Sequence, residues 1–187
     1  MKKQRCSWCG DDPLYVAYHD NEWGVPAYDE RKLYEFLLLE TFQAGLSWIT
    51  VLRKRENFRK AFDNFDYHKI ANYSEEKIAS LLQDAGIIRN KLKVNSAVTN
   101  AQAFLKIQKE MGSFKNYIWS FVDGKPIKNK FKELKDFPAN TPLSDTISKD
   151  LKKRGFKFVG STVVYAHMQA TGMVNDHVES CFRYNEV

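Results

Sequence analysis

Four side chains able to ligate a borderline-soft metal lie at the two ends of this 187-residue chain: Cys6 and His19 near its start, His177 and Cys181 in "HVESC" near its finish. Two Cys and two His make a usual zinc donor set. Four protein ligands leave no open coordination position, so such a centre holds structure together and does no chemistry. His177 and Cys181 are four positions apart, which predicts both on one face of a helical turn. Cys9 competes with His19 for the fourth place, because "CSWC" has C-x2-C spacing. Three cysteines are too few and too odd in number for a disulfide framework, so a reducing compartment, the cytoplasm, is expected.

A second chemical signal is a charge out of place. "FLLLETFQAGLSW" sets Glu40 among four leucines and two phenylalanines, surroundings that an ionised carboxylate avoids unless it has a partner or a use. Trp8, Tyr15, Tyr18, Trp23 and Trp48 crowd the same part of the sequence. Aromatic faces plus one anion form a receptacle for a flat cationic ring. Leu46, in the Gly-Leu-Ser turn beside these residues, has the shape of a wedge for stacked bases. Further on, "LLQDAGIIRNKLK" places Gly86 between two helical stretches, the composition of a tight helix–hairpin–helix over residues 76–106. Such a turn exposes backbone N–H groups that suit a phosphate, and Arg89, Lys91 and Lys93 add positive charge. "SKDLKKRGFKF", with Lys153 at its centre, is a second basic run.

The elements that must position these residues read as helices. Asp29 caps a helix from Arg31 into the Glu40 region, with Leu33, Phe36, Leu37 and Glu40 on one face. Gly45 breaks it, and Ser47 caps a second, "WITVLRKRENFRKAFDNF", with Trp48, Val51 and Leu52 inward and a basic outer face. Asp66 and Ser74 open two short helices. A long one carries Val94, Ala97, Val98, Ala101, Phe104 and Leu105 at helical spacing until Gly112 stops it. Thr141 or Ser144 begins the next, ending near Gly155, and a last helix runs from Ser161 to Thr171. No strand alternation is visible. The expectation is an all-α single domain, residues 1–187, with the two termini joined by the metal site.

The net charge of +6 fits an anionic partner. No apolar run approaches the about 20 residues that cross a bilayer, and no apolar stretch follows "MKKQRCSWCGDDP", so neither a membrane nor a secretory role is expected.

Five ordered blocks, "DPLYVAYHDNEWGVP", "LETFQAGLSWITVLRKREN", "LLQDAGIIRNKLK", "LKKRGFKFVGSTVVYAHMQATG" and "NDHVESC", resemble the DNA-3-methyladenine glycosylase I family along nearly the whole chain. The resemblance implies a helix–hairpin–helix glycosylase fold and one structural zinc per chain at Cys6, His19, His177 and Cys181, which favours His19 over Cys9. It implies a monomer that acts on double-stranded alkylated DNA, hydrolysing the N-glycosidic bond of 3-methyladenine to give the free base and an abasic site. Tyr18, Trp48 and Trp8, with Tyr15 and Trp23, would sandwich the base, and Glu40 matches the carboxylate that recognises it. Gly86, Arg89, Lys91, Lys93, Leu46 and Lys153 would meet the DNA. No Asp or Glu occurs between Asp84 and Glu110, where related glycosylases place a catalytic aspartate. Exposed lysines there serve phosphates more simply than a Schiff base, so no lyase activity is expected. The competing class is a zinc-stapled DNA-binding module without catalysis.

Overall fold

The computed structural model describes residues 3–187, and polar side chains set where its helices begin. Asp12 accepts the Leu14 and Tyr15 amides and is followed by Pro13, whose missing N–H costs nothing in a first turn; together they open α1 (Pro13–Asn21). Asp29 accepts the Lys32 amide to open α2 (Glu30–Gln43). α3 (Trp48–Ala61) starts after Ser47 as expected, although the Ser47 hydroxyl pairs with that of Thr50 instead of a backbone amide. Asp66 and Ser74 cap α4 (Tyr67–Ile70) and α5 (Glu75–Gln83). Asn90 caps α6 (Lys91–Met111), and Ser113 caps α7 (Phe114–Ser120). Thr141 and Ser144 act jointly, as a capping box, at the start of α8 (Pro142–Lys153). Gly160 precedes α9 (Ser161–Ala170).

The arrangement is built around α2, which packs against α3, α6, α7 and α9. Every residue from Leu33 to Phe42 is buried, so α2 is enclosed on all sides and not along one face alone. Its start is tied to α7 by Glu30, whose carboxylate accepts the amides of Phe114 (2.9 Å) and Lys115 (2.7 Å) at that helix's N-terminus.

Three features differ from the sequence expectation. α1 and α7 are additional helices. A pair of two-residue parallel strands, β1 (Ile127–Lys128) and β2 (Val174–Asn175), joins the loop after α7 to the chain leaving α9. His177 and Cys181 lie on no helix; a tight turn, in which the Cys181 amide donates to the Val178 carbonyl (2.8 Å), brings them together.

Gly172 shows how closely that C-terminal segment is seated. Its φ is +68°, and a Cβ there would stand 2.4 Å from the carbonyl carbon of Val25 and 2.5 Å from the nitrogen of Pro26. Only glycine allows the end of α9 to cross the 24–27 segment at that distance. The crossing is pinned on both sides, Gly24 N–H donating to the Gln169 carbonyl (3.0 Å) and Ala27 N–H to that of Thr171 (2.9 Å).

Candidate active site and metal centre

Glu40 sits in the last turns of α2 and opens into a cavity of about 170 Å³ whose walls are Trp8, Tyr15, Tyr18, Trp23 and Trp48. α1 contributes both tyrosines, since Tyr15 and Tyr18 are three apart and share a face. Gly45, at φ +83°, turns the chain out of α2 so that Trp48 begins α3 across from Tyr18, with ring centroids 5.4 Å apart. Trp8 packs on Tyr15 (5.0 Å) and Trp23 (4.9 Å). The five aromatics singled out in the sequence thus form one box, and Glu40 is in it. The rest of the wall carries no signal that spacing or composition reveals. Gln43 is the last residue of α2, Ala166 and Gln169 belong to α9, and Leu134 and Phe137 come from the loop before α8.

The box is unusual in its unmet hydrogen bonds. Among the described residues, the buried atoms Glu40 Oε2, Trp8 Nε1, Trp48 Nε1 and Tyr18 Oη have no partner. Buried polar groups are nearly always satisfied, and leaving one unmet costs about 1–3 kcal/mol. Four of them converge on one cavity, which therefore presents donors and an acceptor to whatever fills it. Glu40 is only 4% exposed, and burial pushes its carboxyl up to about 8, so it is mostly protonated at neutral pH in the empty pocket.

Behind the Trp8–Trp23 wall lies the second cluster. One ligand atom from each of Cys6, His19, His177 and Cys181 falls within 4.8 Å of all the others, and all four residues are buried. Cys181 Sγ is 3.5 Å from His19 Nε2 and from His177 Nδ1, and Cys6 Sγ is 3.6 Å from His177 Nδ1. A tetrahedral ion with metal–sulfur and metal–nitrogen bonds of about 2.3 and 2.05 Å requires sulfur–nitrogen edges of about 3.5 Å. The outward ring nitrogens are held as metal-bound imidazoles usually are. His19 Nδ1 meets the Asp20 carboxylate (2.8 Å), which Arg5 also grips, and His177 Nε2 meets the Trp23 carbonyl (3.0 Å). These four residues could hold a metal ion. Cys9 stands apart, its thiol donating to the Cys6 carbonyl (3.2 Å). Trp8 and Trp23 rest directly on the two imidazoles, with centroids 5.3 Å (Trp8–His19) and 4.7 Å (Trp23–His177) apart, so this cluster sets the pocket's rear wall.

The hairpin between α5 and α6 is held from both sides. Asp84 accepts the Gly86 amide (2.7 Å), while Lys54 and Asn57 of α3 donate to the Gly86 carbonyl. A Cβ on Gly86 would stand 2.9 Å from Asp84 Oδ1 and 3.2 Å from Asn57. Arg89, Lys91 and Lys153 are exposed, as is Leu46. Lys93 departs from expectation. It is 7% exposed, and its ammonium donates to the carbonyls of Phe42 (2.8 Å) and Ala44 (2.7 Å), capping the C-terminus of α2. Its charge is spent inside the protein and is not offered to a phosphate.

The basic face expected for α3 is also interrupted, at Arg55. Its guanidinium forks onto both oxygens of Glu22 (2.8 Å each) and reaches Glu35 (2.8 Å), tying the end of α1 to α2 and α3 beneath Tyr18. Burial alone would raise the Glu22 carboxyl, but the Arg55 and Lys32 hydrogen bonds outweigh it and hold it down to about 2.

A helical protein with an aromatic box, a buried carboxyl on its floor and unmet hydrogen-bonding groups in its walls belongs to the class that takes up a single flat, nitrogen-rich base. Residues 8–184 match the methyladenine glycosylase family model. The DNA-3-methyladenine glycosylase 1 of Escherichia coli (strain K12) is 52% identical over 181 residues, 97% of each chain. A DNA-3-methyladenine glycosylase of Haemophilus influenzae is 48% identical, covering 95% of this chain and 96% of its own. The crystal structure of a 3-methyladenine DNA glycosylase I superposes with a TM-score of 0.93 at 54% identity, over 96% of this chain and 98% of that one. The Staphylococcus aureus 3-methyladenine DNA glycosylase I, studied for its recognition of 3-methyladenine, gives 0.92 at 36% identity, over 95% of both chains. The chain belongs to the methyladenine glycosylase family.

Proposed function

We propose that this protein is a base-excision repair enzyme that hydrolyses the N-glycosidic bond of 3-methyladenine in alkylated double-stranded DNA, releasing the free base and leaving an abasic site. The observation that carries this reading is the convergence of four unpartnered buried polar atoms, Glu40 Oε2 among them, on one aromatic cavity.

Methylation at N3 gives the base a positive charge, which weakens its bond to deoxyribose. When that bond breaks, its electron pair stays with the base, which leaves neutral, and water adds to the sugar carbon. The protein then has little acid catalysis to supply. It must turn the nucleotide out of the duplex, at a cost of a few kcal/mol, and hold the base where water reaches the sugar. Tyr18 and Trp48, with Trp8, Tyr15 and Trp23, provide stacking faces, and a desolvated cation–π contact is worth about 2 kcal/mol to the charged base over neutral adenine. Glu40 accepts hydrogen bonds from the adenine edge. A cation beside it favours its ionised form, so recognition and charge complement are linked.

The helical pair α5–α6 acts as the helix–hairpin–helix element, with Gly86, Arg89 and Lys91 toward the phosphates, Lys153 extending the basic surface and Leu46 as the wedge. The Cys2His2 cluster takes zinc as a structural ion. Its thiolates and imidazoles suit zinc's preference for sulfur and nitrogen, and four protein donors complete a tetrahedron. With no carboxylate between Asp84 and Glu110 and no lysine lining the pocket among the described residues, the enzyme is a glycosylase without lyase activity; the family resemblance, not the pocket, favours a monomer.

The test is incubation with methylated duplex DNA and chromatography of the supernatant. Free 3-methyladenine without strand cleavage is expected. Retained DNA affinity with no released base would identify a binding module instead.

A further inference from the structure

Asp176 is completely buried and has no part in the chemistry described so far. Its Oδ1 accepts the Asn129 side-chain amide (2.6 Å), and its Oδ2 accepts both the Tyr165 hydroxyl (2.6 Å) and Gln169 Nε2 (2.8 Å). Three donors thus converge on the Asp176 side chain, and the Gln169 amide takes its place among them with its N–H end. The Nε2 end points to Asp176, and Oε1 is directed away. Gln169 is a wall of the aromatic cavity, and its Oε1 has no hydrogen-bond donor among the described residues. Gln43, the other amide on that wall, has no such partner among them, and either of its ends can turn inward.

We infer that Gln169 Oε1, fixed in direction by Asp176, is a specificity-determining acceptor that with Glu40 receives the two hydrogens of the exocyclic amine at C6 of the flipped base. This rests on the reading of the cavity as the base receptacle. An amine at C6 offers two N–H donors, and one carboxyl group facing one edge leaves the other hydrogen without an acceptor. The cavity, at about 170 Å³, is small enough for one bicyclic base to reach both groups. Guanine methylated at N3 is as cationic as the adenine lesion, so stacking and charge do not separate the two. At C6, however, guanine carries a carbonyl oxygen, which would face two acceptors. A site built to accept hydrogen bonds rejects a partner that cannot donate them. Asp176, Tyr165 and Asn129 are then positioning residues, acting on the base only through the amide.

The experiment measures release of 3-methyladenine and 3-methylguanine from one preparation of methylated DNA. Gln169→Leu is expected to lower the ratio of adenine to guanine product about tenfold, the worth of one hydrogen bond. Because Asp176 adjoins His177, the positioning chain is tested at Tyr165. Tyr165→Phe should shift the ratio in the same direction by about threefold, and it decides alone if the Gln169 variant does not fold. A side chain that merely shapes the pocket would change both rates together. Equal losses for the two bases, or an unchanged ratio in both variants, overturn the assignment. A wild-type protein that releases neither base overturns the proposed function instead.

Discussion

Glu40→Gln should make the empty protein more stable at neutral pH, by an amount that depends on pH in a specified way. Burial raises the Glu40 carboxyl from 4.5 to about 8. In the unfolded chain the group ionises above about 4.5, whereas in the folded chain it keeps its proton until about 8. Between these values the native state binds more protons than the unfolded state, so stability falls as pH rises. At pH 7 the gap spans roughly 2.5 pH units, and at about 1.4 kcal/mol per unit the wild type gives up about 3 kcal/mol. Glutamine has a similar shape and no proton to lose. The difference in stability, Gln variant minus wild type, should therefore grow by about 3 kcal/mol from pH 4.5 to pH 7 and level off above pH 8. That is about 6–12 °C in melting temperature for a chain of this size. Urea titrations of both proteins across pH 4.5–8.5 measure it directly, and every other titrating group cancels in the difference. Parallel curves over that range would show that Glu40 is ionised and solvated in the empty protein, and the account of the pocket floor would fail. The same variant should release 3-methyladenine more slowly without losing all activity, because the lesion's bond is weak by itself.

Two further sets of variants separate structure from contact. Cys181→Ser should lose zinc and melt early, while Cys9→Ser, whose thiol only caps carbonyls, should keep a full complement of metal; metal analysis with a thermal melt decides, and zinc loss in the Cys9 variant alone would reverse the ligand assignment. Lys91→Ala and Lys153→Ala should each reduce the slope of log DNA affinity against log salt by about 0.9 with little change in stability. Lys93→Met should instead destabilise the fold by about 1–3 kcal/mol, through two unmet carbonyls at the end of α2, and leave that slope unchanged. A flattened slope for Lys93→Met would return that residue to the DNA surface.

Much of the architecture could be read because caps and breakers are local chemistry. Asp29, Asp66, Ser74 and Gly112 each act on amides or turns within a few residues of themselves. α1 was hidden for a physical reason. Its side chains serve three environments, with Tyr15 and Tyr18 on the pocket, His19 on the cysteines and Asn21 in solvent, so no apolar stripe repeats. Lys93 was misjudged by composition, although its phase carried the answer, for it lies on the side of α6 that also holds Val94, Ala97 and Ala101. The box could be anticipated because its aromatics and Glu40 are dense within 41 residues of sequence. Gln169 could not, since its role comes from Asp176, which reads as an ordinary loop aspartate, and from an orientation that only the folded pocket supplies.

The pairing of Cys6 and His19 with His177 and Cys181 also has a consequence for synthesis. Translation delivers Cys6 171 residues before His177, so a growing chain carries half a cluster while everything between them is made. Helices from the N-terminal side can collapse as they emerge. Trp8, however, leans on His19, whose partners His177 and Cys181 come much later, and Trp23 leans on His177 itself. The aromatic cavity is thus completed only once residues 177–181 are free to fold, and a chain stalled before them would have its earlier helices formed and its pocket unfinished.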